Sequence, residues 1–338
     1  MRPAATPFAS AAPWCNSSAP STTCCATPAA MAEGSLTPMN LMTPPPATPD
    51  AVAEVLGVLD LKTVGTDRFR AQPREFGRRR LYGGQIFAQT VMAAQLTVDD
   101  RAPHALHACF LLPGTPDDPV DFEVERLRDG GAFSARRVNA LQNGRVILSL
   151  MASFHRTEEG FEHQIEMPPA PEPETLASTS SLLADWVQQT GTVPHSMLEV
   201  SMTQRMGLDV HPLEPDSVFG DKIRPPEYAH WFRVCRTVPD DPRLHYALLA
   251  FASDLCFLGT SLRPHGVPWY APSMQPSTVD HSLWIHRPLR ADEWLLYVMD
   301  SPTAQNARGF VRGAIYDRAG RLVASSAQDG LIRPLHTR

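Results

Sequence analysis

The sequence predicts an α+β protein made of two similar units, each a helix with an antiparallel sheet, joined by a linker. Three observations carry this. Residues 134–154 can be laid on residues 310–330 without a gap, so that Arg136 meets Arg312, Asn143-Gly144-Arg145 meets Ala319-Gly320-Arg321, Ser149 meets Ser325 and Ala152 meets Gln328. In both halves a helical apolar stretch precedes runs that read as strands. Between the halves the composition shifts to Glu, Pro and Ser, with Pro168, Pro169, Pro171 and Pro173 close together.

In chain order, residues 1–50 are rich in Pro, Ala, Ser and Thr and offer no periodic apolar face. A disordered tail or an over-extended start is expected there, with Met31, Met39 or Met42 as the beginning. The first unit is assigned to residues 51–156. It opens with a strand over 59–69 and the turn-like Tyr82-Gly83-Gly84, then a helix over 85–98 with Phe87, Val91, Ala94 and Val98 on one buried face. A strand over 105–112 follows. In the next, Val120, Phe122 and Val124 alternate with acids, as a half-solvated strand requires. Asn143-Gly144 then joins two further strands, because both residues tolerate positive φ.

The linker is placed at 157–198, with one short helix over 182–189. The second unit, 199–338, repeats the order: a strand over 231–238, an apolar helix over 244–262, strands over 283–286 and 293–299, and a closing hairpin.

Composition narrows the function. A chain of 338 residues with 43% hydrophobic content can bury a sizeable core, and a net charge of -6 argues against nucleic acid as partner. The longest apolar stretch, residues 246–262, is shorter than the roughly 20 residues a membrane span needs and contains Asp254, so no span is expected. Cys109, Cys235 and Cys256 lack zinc spacing or a disulfide framework and read as small buried hydrophobes. No Gly-x-Ser-x-Gly, P-loop or dinucleotide fingerprint occurs, so neither a serine nucleophile nor a nucleotide cofactor is expected. His281 and His286 flank Trp284 but have no third ligand at credible spacing, so no metal is expected and packing or hydrogen bonding is their reading.

Several motifs in order resemble the acyl-CoA thioesterase II family: Tyr82-Gly83-Gly84-Gln85, Phe133-Ser134-Ala135-Arg136-Arg137-Val138, Gly160-Phe161-Glu162-His163-Gln164, Ala252-Ser253-Asp254-Leu255, Asp280-His281-Ser282-Leu283-Trp284-Ile285-His286-Arg287-Pro288 and Ala307-Arg308-Gly309-Phe310-Val311-Arg312-Gly313. The likeness runs from about Glu54 to Arg333. It implies a double hotdog, two hotdog domains in tandem, each a long helix wrapped by an antiparallel sheet. It also implies a fatty acyl-CoA substrate of medium to long chain, a role in fatty acid and CoA pools, and a homodimer or homotetramer. Its catalytic trio of Asp, Thr and Gln falls on Asp254, Thr278 and Gln328, in the second unit. Cytoplasm is the expected location, since the chain ends His336-Thr337-Arg338 rather than in a Ser-Lys-Leu signal.

These residue types suit thioester hydrolysis. An ionised Asp254 accepts a proton from water, while the Thr278 hydroxyl and Gln328 amide aim that water at the carbonyl. Oxyanion donors are sought at a helix N-terminus, with Gly83, Gly84 and Gln85 or the Ser253 region as candidates. Arg136, Arg137, Arg308 and Arg312 either meet CoA phosphates or form ion pairs between the halves; Arg136 and Arg308 stand as candidates for substrate binding. Two other readings remain open: a hotdog hydratase or dehydratase using Asp with His281, and a non-catalytic acyl-CoA-binding protein.

Overall fold

A computed structural model describes residues 50–76, 80–191, 203–216, 222–269 and 271–335. The expected tail lies outside these apart from Asp50, as do residues 192–198 of the expected linker.

The chain begins with α1 (Ala51–Leu59), capped by the Asp50 side chain, and a small hairpin, β1 (Lys62–Gly65) and β2 (Arg68–Ala71), where one strand was expected. Helix α2 (Gly83–Gln95) follows. It carries two glycines, a threonine and a valine, poor helix formers that together cost about 2–3 kcal/mol relative to alanine. Burial decides the matter: every residue from Gly84 to Gln95 is buried, and Ile86, Phe87, Val91 and Met92 contribute roughly 2 kcal/mol each. The sequence marked only one buried face; the structure covers the helix all round.

Strands β3 (Ala102–Phe110), β4 (Val120–Asp129), β5 (Phe133–Gln142) and β6 (Arg145–His155) wrap α2. Asn143 and Gly144 turn β5 into β6 at φ 51° and 73°, as their residue types require. Helix α3 (Thr179–Thr190) lies in the connecting stretch. The second half then supplies β7 (Leu208–Pro212), β8 (Glu227–Val234), α4 (Pro242–Ser253), β9 (Met274–Ile285), β10 (Leu295–Gln305), β11 (Arg308–Asp317) and β12 (Leu322–Pro334).

Among the described residues all the strands form one sheet, in the order β1-β2-β4-β5-β6-β3-β9-β12-β11-β10-β8-β7. Read from its two ends, the order is the same: β3 matches β9, β6 matches β12 and β5 matches β11. This is the double hotdog, with β3 and β9 joined antiparallel at the seam, from Ala105↔Trp284 to Cys109↔Asp280. The two helices run antiparallel inside it. Tyr82 Oη donates to Phe251 O (2.9 Å) at one end and Gln95 Nε2 to Arg243 O (3.1 Å) at the other. Gly84 permits this approach, since a Cβ there would lie 2.3 Å from Phe251 O.

The gapless overlay needs one correction. Along β6 and β12 it is right: Leu148, Leu150, Ala152 and Phe154 face inward as do Ala324, Ser326, Gln328 and Gly330. The second hairpin, however, turns through three residues, 318–320, between Asp317 and Arg321, whereas the first uses two. The extra residue shifts β11 by one, and a one-residue slip exchanges the faces of a strand. Arg136, pointing inward, therefore matches buried Val311, and Arg312 points outward.

The stretch Pro242–His265 is apolar and long enough on composition to cross a membrane, but 78% of its most apolar window is buried inside the molecule. It behaves as a core helix. Cys109 and Cys235, expected to be buried, are exposed, Cys109 on the outward face of β3 and Cys235 in the bend just past β8; Cys256 is half-buried.

Candidate active site at the seam between the two halves

The apolar run over 244–262 predicts an unbroken helix with Asp254 in its middle. The structure ends α4 at Ser253, makes Asp254 its C-terminal cap and places Cys256 at φ 58°, before a 3-10 segment, Leu258–His265. A carboxylate at a helix C-terminus meets the negative end of the helix dipole, which does nothing for stability. The compensating partner comes from the other half. The N-terminus of α2, the positive end, faces Asp254 so closely that a Cβ on Gly83 would lie 2.6 Å from Asp254 Oδ2. The Gly83 and Gly84 N–H groups belong to the first turn of α2, where no preceding helical carbonyl can take them.

Thr278 reaches the same carboxylate because of a bulge. Gly330 pairs with Thr278 and Asp329 with Asp280, so Val279 is the extra residue and is exposed. The insertion turns Thr278 toward the interior, on the side His281 also faces. Gln328, on β12, is 0% exposed. Its Nε2 donates to Asp254 Oδ1 (3.0 Å) and to Thr278 Oγ1 (2.7 Å), and Thr278 Oγ1 donates to Asp254 Oδ1 (3.3 Å). Two separate strands of the second half, β9 and β12, thus converge on one carboxylate oxygen at the end of α4.

The trio borders a cavity of about 420 Å³. The first half supplies Phe76, Leu81, Gly83, Phe110 and Ile147 to its wall, and the second half Phe257, Leu258 and Trp269 beside the polar groups. The site therefore belongs to both halves, although its trio comes from one. Such a mostly apolar cleft with a few convergent polar groups suits an acyl chain ending in a polar, reactive group. Among the described residues Arg80 is the cation that borders it. Sequence reasoning missed Arg80, since an arginine beside Leu81 carries no signal by itself.

The remaining candidates separate. Gly83 borders the cavity, whereas Gly84 packs on α4 and Gln85 is buried, accepting from Arg74 N (3.3 Å). The Ser253 region is a helix C-terminus and offers no N-terminal amides. Arg136 is corrected most clearly. It is 1% exposed, and all five of its N–H groups are engaged, by Thr97 Oγ1, Thr97 O, Arg128 O, Ala135 O and Asp129 Oδ1, leaving none for a phosphate. Arg308 is exposed, pairs with Asp329 (2.8 Å) and does not border the cavity. Arg137 and Arg312 pair with Glu125 and Asp300, so all four arginines serve ion pairs within their own halves rather than between them.

His281 is 0% exposed, edge-on to Phe87 and Phe257, and its Nε2 lies 3.0 Å from Ser253 Oγ. Burial pulls its pKa down to about 4, so the ring is neutral near pH 7. Asp280 moves the other way, its carboxyl held above the ordinary range by burial.

Fold and cavity define a double-hotdog protein whose polar trio sits where the two halves meet. Comparison with known proteins gives the same class. The acyl-CoA thioesterase N-terminal domain family matches residues 72–155, and the C-terminal domain family residues 173–332. Acyl-CoA thioesterase 2 of Haemophilus influenzae is 34% identical, covering 84% of this chain and 98% of its own. Acyl-coenzyme A thioesterase 8 of Homo sapiens is also 34% identical, covering 82% and 88%. The crystal structure of the acyl-CoA thioesterase II TesB2 of Mycobacterium marinum superposes with a TM-score of 0.67 at 34% identity, covering 83% of this chain and 98% of that one. The chain belongs to the acyl-CoA thioesterase II family.

Proposed function

We propose that the protein hydrolyses fatty acyl-CoA thioesters to free fatty acid and CoA, with Asp254, Thr278 and Gln328 activating the water. The observation that carries this reading is the convergence of Thr278 Oγ1 and Gln328 Nε2 on Asp254 Oδ1, beside an apolar cavity and opposite the N-terminus of α2.

The acyl chain lies along the apolar wall, with its carbonyl near the start of α2. Asp254 accepts a proton from a water whose position Thr278 and Gln328 fix, and the water oxygen bonds to the carbonyl carbon. The N–H groups of Gly83 and Gly84 meet the oxygen that becomes negative. Collapse of this intermediate breaks the C–S bond; the CoA sulfur leaves as thiolate and takes a proton, and Asp254 returns its own to solvent. Arg80 at the rim offers a guanidinium to a phosphate of the CoA.

A hydratase or dehydratase would need a titrating histidine in the cavity, and His281 neither borders it nor titrates near neutral pH. A binding protein without turnover would have no use for two polar groups gathered on one carboxylate. The test is thiol release from palmitoyl-CoA and decanoyl-CoA by the wild type and Asp254→Asn. The expected result is a loss of roughly 100-fold or more in the variant, with folding intact. Equal turnover in both removes Asp254 from the mechanism, and none in either favours the binding protein.

A further inference from the structure

Gln328 can help the carboxylate only if its amide points the right way, and what fixes the amide is on its other side. Gln328 and His281 are direct cross-strand partners in β12 and β9. The two buried polar atoms here without a partner at good hydrogen-bond geometry are Gln328 Oε1 and His281 Nδ1. A neutral imidazole carries one N–H and one lone pair, so the position of a single proton decides whether these atoms attract or repel.

With the proton on Nε2, His281 donates to Ser253 Oγ, and Ser253 donates to Ala250 O (3.0 Å). Nδ1 and Oε1, both buried on neighbouring strands, are then two acceptors with no donor between them. Turning the Gln328 amide over would relieve this but set Oε1 against Asp254 Oδ1, two acceptors where a 3.0 Å donor contact now stands. With the proton on Nδ1, His281 donates to Gln328 Oε1, Nε2 accepts from Ser253 Oγ–H in exchange for the bond to Ala250 O, and both Gln328 N–H groups remain on Asp254 and Thr278. The carboxamide also raises the imidazole's affinity for a proton, against the effect of burial. Phe87 and Phe257, edge-on at 5.0 and 5.5 Å, hold the ring in place.

We propose that His281 is a positioning residue, a neutral Nδ1–H imidazole seated on Ser253 that holds the Gln328 amide with its N–H groups toward Asp254 and Thr278. This rests on the hydrolytic reading above. The direct test is 15N NMR of the histidine-labelled protein, with His281 assigned by its loss in His281→Phe. An Nδ1–H pattern supports the proposal and an Nε2–H pattern overturns it, whatever the activity.

Kinetics give a second readout. In His281→Asn the amide nitrogen takes the place of Nδ1 and keeps the donor to Gln328. In His281→Gln it takes the place of Nε2 and serves only Ser253. The expected order of kcat is wild type, then Asn within about 5-fold, then Gln and Phe lower by about 10-fold or more, with KM for acyl-CoA nearly constant. Equal kcat in all four, or losses that follow thermal stability rather than the donor to Gln328, overturns it. If Asp254→Asn retains full turnover, the hydrolytic reading fails; if it loses turnover while His281→Phe does not, only this inference fails.

Discussion

Gly83 and Asp254 come from different halves of the chain and stand so close that a methyl group cannot be placed between them: a Cβ on Gly83 would lie 2.6 Å from Asp254 Oδ2 and 3.4 Å from Phe110 Cε1. The contact fixes which residue can open α2. Gly83→Ala should therefore displace the carboxylate, and misplacement by about 1 Å costs on the order of 100-fold in rate. Alanine is the better helix former, by up to about 1 kcal/mol, so stability should hold. The expected outcome is kcat lowered by about 10- to 100-fold with an unchanged or slightly higher Tm. Wild-type kcat would show that the start of α2 and Asp254 do not act together.

The two arginines invite opposite experiments. Arg80→Ala should raise KM for acyl-CoA by about 2- to 5-fold, the worth of one exposed charge contact, and leave the melting curve alone. Arg136→Leu should do the reverse. It breaks five hydrogen bonds, the two to Thr97 just past α2 fully buried and those to Arg128, Ala135 and Asp129 partly so, a loss on the order of 3 kcal/mol. Urea unfolding beside steady-state kinetics separates them, and a KM effect in Arg136→Leu at intact stability would restore it as a binding residue.

Much of the fold was legible because it follows local rules. The spacing of Phe87, Val91 and Ala94 marked α2, and Asn143-Gly144 marked the first hairpin. What was not legible depends on the register between distant strands. The extra turn residue at 318–320 sends Arg312 outward, though the letters align it with Arg136. Thr278 faces the site because Val279 is bulged, and strict alternation from His281 would have put it on the opposite face. The break at Asp254 is hidden inside a run that stays apolar to Leu262, since Cys256 gives no sign that it will adopt a left-handed conformation. The family resemblance named the trio; only the folded chain could show Gly83 and Phe110 beside it.

His230 makes stability depend on pH. It is 1% exposed among Tyr228, Phe232 and Tyr297, neither ring nitrogen has a partner, and burial lowers its pKa to about 3. Its folded pKa lies below the unfolded value of about 6.5, so between the two the unfolded chain binds the extra proton. Stability is then complete above about pH 6.5 and falls as the pH drops toward 3. A difference of this size is worth at most about 5 kcal/mol. His230→Phe should flatten the decline in denaturation midpoint between pH 7 and pH 4.5. An equally steep decline in the variant would place the titration elsewhere.

The mirrored sheet raises the question of a second active site, and the residues at the counterpart answer it. The helix cap corresponding to Asp254 is Leu96, the β6 residue matching Gln328 is Ala152, and Pro103, which pairs with Phe154 beside a bulge, stands where Thr278 pairs with Gly330. A cavity of about 420 Å³ persists there; Asp99, Asp100, Asp241 and His155 border it beside Pro103 and Pro242, but none of them stands at the helix C-cap position that Asp254 holds in the second half. The amino end of α4 is present, but no carboxylate caps α2 opposite it, and a Leu-Pro-Ala set can neither take a proton from water nor orient one. One chain should therefore turn over substrate at one place. Asp254→Asn should leave no residual fraction from the counterpart, and calorimetry with a non-hydrolysable thioether analogue of decanoyl-CoA should give one site per chain. A second equivalent would mean that the counterpart cavity binds acyl-CoA without the trio that cleaves it.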